Sequence, residues 1–76
     1  MDIINEYYEI VGDYLEKQVK RIENKIPTTK DRYADYLNLI TTLIGEKIPK
    51  NIARDLIIKA GGIFHGVNSA YQVINY

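Results

Sequence analysis

The chain has no cysteine, no tryptophan, one histidine and one phenylalanine among its 76 residues. Without cysteine, disulfides and thiolate zinc sites are excluded. A single histidine excludes a His-rich metal centre too. An excess of either charge is also lacking, because ten basic residues balance ten acidic ones. A general nucleic-acid binder is usually clearly basic, so that class loses its main signature. Neutrality gives little protection against self-association. No apolar run reaches the roughly 18 residues of an ordinary membrane-spanning helix. The N-terminus opens with Asp2 and carries Glu6 and Glu9, whereas a secretory leader needs a basic start and an apolar run. These features, with the missing cysteine, fit a cytoplasmic protein.

A chain this short is expected to be one domain spanning 1–76, with marginal stability. The usual staples being absent, stability must come from regular helix packing, self-association or a partner. A hydrophobic content of 46% is ample for a folded domain and too high for a disordered one.

Residues 3–24 read as an amphipathic helix. Ile4, Tyr8, Val11, Leu15 and Ile22 recur at steps of three and four, with Gln18 in the same row. Ile3, Tyr7, Ile10 and Tyr14 widen that stripe. Gly12 is the weak point, costing about 1 kcal/mol against alanine. Pro27 interrupts the pattern, because it disfavours helix at Ile26. Thr28 then caps a second helix over 30–44, with Asp31 three positions on, close to a capping box. Its core row is Tyr33, Tyr36, Leu37, Ile40, Leu43 and Ile44. Gly45 sits where a left-handed C-cap residue belongs. Pro49 opens a third helix over about 50–60, which buries Ile52, Ala53, Leu56, Ile57 and Ala60. Gly61-Gly62 ends it.

The segment from Ile63 to Tyr76 reads two ways. One is a fourth helix with Ile63, Val67, Ala70, Tyr71 and Ile74 facing inward. The other is a strand or extended arm, since Tyr71 to Tyr76 is rich in β-formers. The helix is the better reading, because a lone hairpin is marginal in water and no other segment reads as a strand. The expected fold is therefore all-α, a bundle of three or four helices. Helices one and two form an antiparallel pair that the others close over.

Candidate functional residues are few. Asp2, Glu6, Glu9, Asp13 and Glu16 project within about 80° of one another on a helix of 3.6 residues per turn. Lys17, Lys20, Arg21 and Lys25 follow them. This order complements the helix dipole and suits a solvated face. It also creates a negative field able to receive a basic protein. One wet helix row offers a metal ion only one or two oxygens, so neither a metal, a cofactor nor paired-carboxylate catalysis is read here. His65 has Ser69 one helical turn away, but no acid lies between residues 56 and 76 to orient it. It reads as a half-buried, hydrogen-bonded side chain. Gly61, Gly62 and Gly66 lack the Lys-Ser/Thr that a phosphate loop requires.

From Ala60 to Tyr76 no Asp, Glu, Lys or Arg occurs, so this tail needs cover. Gly62, Gly66 and Ala70 form a small-residue edge that admits close helix approach, either within the monomer or between copies, with Tyr71 and Ile74 beside it. Seven tyrosines suit either a core boundary or an interface. Lys47, Lys50 and Arg54 permit a helix-turn-helix reading, against which stand zero net charge and the uncharged tail. The sequence thus leads to a non-enzymatic interaction or regulatory protein, such as an inhibitor, adaptor or assembly factor. It binds another protein through the acidic face, the uncharged tail or both. A DNA-binding regulator and a homodimeric module are the alternatives.

Overall fold

A computed structural model describes residues 2–25 and 29–74. They form four helices and, among them, no strand: α1 (Ile3–Lys25), α2 (Thr29–Gly45), α3 (Lys50–Lys59) and α4 (Phe64–Val73). Within the tail Phe64–Val73 is therefore helical, and its small-residue edge explains why. Gly66, Val67 and Ala70 share one buried face, which a helix can lay against a neighbour and a strand without a sheet cannot. The Thr28 cap and its Asp31 partner lie outside the described side chains. No helix among the described residues is long and apolar enough to cross a membrane.

The core comprises Leu15, Val19 and Ile22 of α1, Tyr36, Leu39, Ile40 and Leu43 of α2, Ile48, Ala53, Leu56 and Ile57 around α3, and Val67, Ala70 and Ile74 at α4. Val19 and Leu39 are additions to the rows expected from periodicity. Ile3, Ile10 and Tyr14 were expected to widen the α1 stripe and instead stand outside the core. Ile63, also expected inward, is exposed because it is the extended N-cap residue of α4, with φ −70° and ψ 121°. It therefore leaves the helical row.

Helices α1 and α2 run antiparallel, with Arg32 of α2 meeting Glu23 of α1 and Thr42 lying across from Tyr14. They are not the tight pair expected. α2 packs chiefly on α4 and α1 chiefly on α3, while α3 touches all three other helices. The physical reason is close approach at α4. A Cβ built on Gly66 lies 3.2 Å from the Tyr36 ring, so the α4 backbone rests on that ring and takes up the broad apolar face of α2.

Two helix ends share one device. After α2, the Ile48 N–H bonds to Leu43 O at 3.1 Å and the Lys47 N–H to Ile44 O at 2.9 Å. After α3, Gly62 bonds to Ile57 O at 2.9 Å and Gly61 to Ile58 O at 3.1 Å. Both are Schellman closures, which need a left-handed residue. Gly61 supplies it after α3 with φ +108°. After α2 the residue is Lys47, at φ 71°, and not Gly45, which remains in the helix. Turning two residues later buries Ile48 beside Leu43, the apolar contact that accompanies this closure.

Tyr36 is fully buried and its hydroxyl joins three segments. It donates to Glu23 Oε2 at 2.5 Å and accepts the Ile63 N–H at 3.1 Å. Arg32 pairs with Glu23 Oε1 at 3.5 Å. Burial first, and then the Glu23 hydrogen bond, push the Tyr36 phenol up to about 12; the Ile63 N–H works in the opposite direction. The folded chain holds this proton more tightly than the unfolded chain, whose tyrosines titrate near 10. The resulting stabilisation is complete below pH 10 and is lost as pH rises through 12. Tyr36→Phe is expected to destabilise the fold by about 1–3 kcal/mol at neutral pH, because it strands the Ile63 donor and the Glu23 acceptor. Urea denaturation measures that loss. Repeated between pH 10 and 12, it should show a shallower fall for the variant than for the native chain, and equal slopes would remove Tyr36 as the titrating group.

Candidate functional site

Helix α1 presents three lengthwise strips. One faces the core through Leu15, Val19 and Ile22. A second, on the far side, carries Asp2, Glu6, Glu9, Asp13 and Glu16, all exposed. Between them run Ile3, Tyr7, Ile10 and Tyr14, whose steps of four, three and four make a straight line on a helix. Ile3 is 48% exposed, Ile10 80% and Tyr14 46%. This line stands roughly 110° around the helix from the centre of the buried strip. α3, with ten residues, covers the strip facing the core and leaves that flank open.

The open flank becomes one wall of a groove. Tyr7, Ile10, Val11 and Tyr14 face Thr42, Leu43, Glu46 and Ile48 across a space of about 510 Å³. Toward the C-terminal end of α1 the same furrow continues past Tyr14 to Arg21, opposite Asp35 and Asn38, where it narrows to about 210 Å³ and becomes more polar. Beyond Glu16 the outer surface of α1 changes sign, with Lys17, Lys20 and Arg21 grouped together.

The acids do not all play one part. Asp2 Oδ1 accepts the Ile4 N–H at 2.9 Å and so caps α1. Glu16 Oε2 accepts the Tyr8 hydroxyl at 2.5 Å. Glu6, Glu9 and Asp13 make no side-chain hydrogen bond or ion pair with the described residues. They are the carboxylates available to something outside the molecule. The Tyr8 contact also accounts for Gly12. The ring lies along the helix on its way to Glu16, and a Cβ on Gly12 would come within 2.7 Å of Tyr8 Cδ1. Lys59 sits 5.1 Å from the centre of the same ring and donates to Asn5 Oδ1 at 2.8 Å, which fastens α3 to the first turns of α1.

The residues considered for self-association are turned inward or engaged. Gly66, Ala70 and Ile74 are buried in the monomer's own core, and Gly62 is half-buried. A Cβ on Gly62 would lie 2.9 Å from both Ile57 O and Val67 Cγ2. Tyr71 lies under two cations, Lys50 Nζ at 4.5 Å and Arg54 Cζ at 4.4 Å from its ring centre. Lys50 also donates to Ile74 O at 2.5 Å, which satisfies an end carbonyl of α4. Of the three cations that the DNA-reading alternative rests on, Lys50 and Arg54 are thus engaged with Tyr71, whereas Lys47 is exposed. His65, expected to be half-buried and hydrogen-bonded, is exposed and stands edge-on to Phe64 at 5.9 Å. Among the described residues no group of three or more His, Asp or Glu converges as a metal site.

Sequence periodicity missed the groove because it assigned the Ile3–Tyr14 line to the core. The usable signal was the breadth of the apolar arc on α1, wider than a single neighbouring helix covers.

The Glu16 hydrogen bond foremost, then burial, push the Tyr8 phenol up to about 12. Gly12→Ala is expected to swing the ring off Glu16 and return its titration toward 10, as read by NMR of labelled tyrosine carbons. An unchanged Tyr8 titration would show that the ring accommodates the methyl group. No protein-family model matches the chain, and comparison with curated proteins and with solved structures finds no significant match.

Proposed function

We propose that this chain is a non-enzymatic binding module that engages a basic protein surface through the outward side of α1, in the manner of a small inhibitor, adaptor or assembly factor. The observation that carries this reading is the exposed Ile3–Ile10–Tyr14 line beside three carboxylates that have no partner among the described residues. Single exposed apolar side chains are ordinary, but an aligned set rimmed by one sign of charge is the usual mark of a contact surface. Aromatic residues at the centre of such surfaces supply area at low entropic cost, and Tyr7 and Tyr14 are placed to do so. The flanking acids favour a cationic partner and accelerate its approach.

The alternatives have weaker support. For the duplex-binding alternative, Lys50 and Arg54 are held on Tyr71. For the homodimeric alternative, the small-residue edge lies within the monomer.

Replacing Glu9 and Asp13 together by lysine is expected to leave the thermal melt unchanged, because both side chains are exposed and unpaired. The same variant should lose the basic proteins that the native chain retains in affinity capture at low salt. Capture that is identical for both chains, or dominated by acidic proteins, would refute the reading.

A further inference from the structure

The groove between α1 and α2 constrains its occupant more closely than the acidic strip does. Its apolar wall on α1 runs from Tyr7 to Tyr14, about 10 Å at the rise of an α-helix, or two turns. One wall is α1 and the other is the last turn of α2 with the turn that follows it, and Ile10 projects between Tyr7 and Tyr14 as a knob. A third helix laid along such a furrow meets it with ridges in grooves. The described residues contain no strand edge for an extended peptide to extend. The apolar part is flanked by carboxylate on both sides, by Glu6 and Asp13 along α1 and by Glu46 at the end of α2. Lys47 belongs to a different depression, with Pro49 and Tyr71.

A second copy of the chain is a poor occupant because of these charges. Two copies related by a two-fold axis across the helices would set the Glu6–Asp13 flank against itself. An axis along the helices would set that flank against the Glu46 flank. Either arrangement that buries the Ile3–Tyr14 line on itself opposes carboxylate to carboxylate, which disfavours the pairing.

We infer that this groove binds an amphipathic helix of another protein, one with an apolar row at i, i+3 or i+4 and i+7 and with lysine or arginine flanking that row on both sides. This rests on the reading of α1 as a binding face and names the class of partner. The Ile10 knob supplies the apolar anchor; Glu6, Asp13 and Glu46 set the sign of the partner.

Three designed peptides of about 18 residues, five helical turns, make the test by NMR titration of the full chain. The first has a leucine row with lysine flanks. The second keeps the row and has glutamate flanks. The third is a scrambled sequence of the first. The lysine-flanked helix is expected to shift the amides of Tyr7, Ile10, Tyr14, Thr42 and Glu46. Ile10→Asp, at an exposed position that folding does not require, should weaken it by about tenfold or more, and Glu46→Lys should weaken it as well. The glutamate-flanked helix should leave the spectrum unchanged. Equal binding of the scrambled peptide, with shifts confined to Glu6, Glu9 and Asp13, would overturn the groove while leaving the acidic-face reading intact. Equal binding of the glutamate-flanked helix would overturn the charge assignment. Absence of shifts with any peptide up to about 1 mM would overturn both readings. Ile10 shifts on dilution of the chain alone would assign the groove to a second copy.

Discussion

The arrangement of the four helices depends on where Tyr36 is held. Its ring lies against the α4 backbone at Gly66, its hydroxyl bonds to Glu23 of α1, and the same oxygen receives the Ile63 N–H at the start of α4. A buried phenol without partners is costly, so an alternative packing that separates these segments loses both hydrogen bonds together with the apolar contact. No described side chain leaves a buried nitrogen or oxygen unpaired. In a 76-residue chain without disulfides, one satisfied polar contact inside an apolar core selects a single arrangement where leucine and isoleucine alone would permit several.

The groove follows from the same constraint. α1 is tied to α2 at its C-terminal end by Glu23, Arg32 and Tyr36, and to α3 near its N-terminal end through Lys59, Asn5 and Tyr8. Between those ties α2 is committed to α4, because Gly66 lets α4 rest against the Tyr36 ring, where even a Cβ would be tight at 3.2 Å. The outer flank of α1 is left without a neighbour along Ile3, Ile10 and Tyr14. The small-residue edge that invites association between copies is consumed in forming the monomer, and forming the monomer exposes a different apolar surface. The charges around that surface give it a sign.

Much of this architecture was legible in the residues. The period of three and four, the proline at 49 and the glycine pair at 61 and 62 are local signals. Each acts through backbone geometry within a turn or two, so the identity and most boundaries of α1 to α3 followed from them, while the segment that forms α4 stayed open between helix and strand. Two local readings failed for non-local reasons. Gly45 had the conformational freedom for a left-handed cap, yet Lys47 adopts it, because the later turn carries Ile48 into the core. Ile63 fitted the α4 row but serves as its extended N-cap.

The sequence by itself determined the first three helices, the acidic first half of α1 and its basic end, and a charge-free tail whose conformation it left between helix and strand. These are properties of composition and of spacing along one helix. Only the tertiary structure decided which apolar residues of α1 are core and which are surface. Periodicity shows that a helix has a broad apolar arc, but the neighbours determine how much of it is covered. Their positions depend on contacts distant in sequence: Gly66 against Tyr36, Tyr36 to Glu23, and Lys50 over Tyr71. The exposed line from Ile3 to Tyr14 is the remainder after those contacts form, so no window along the chain contains the information that separates it from the core.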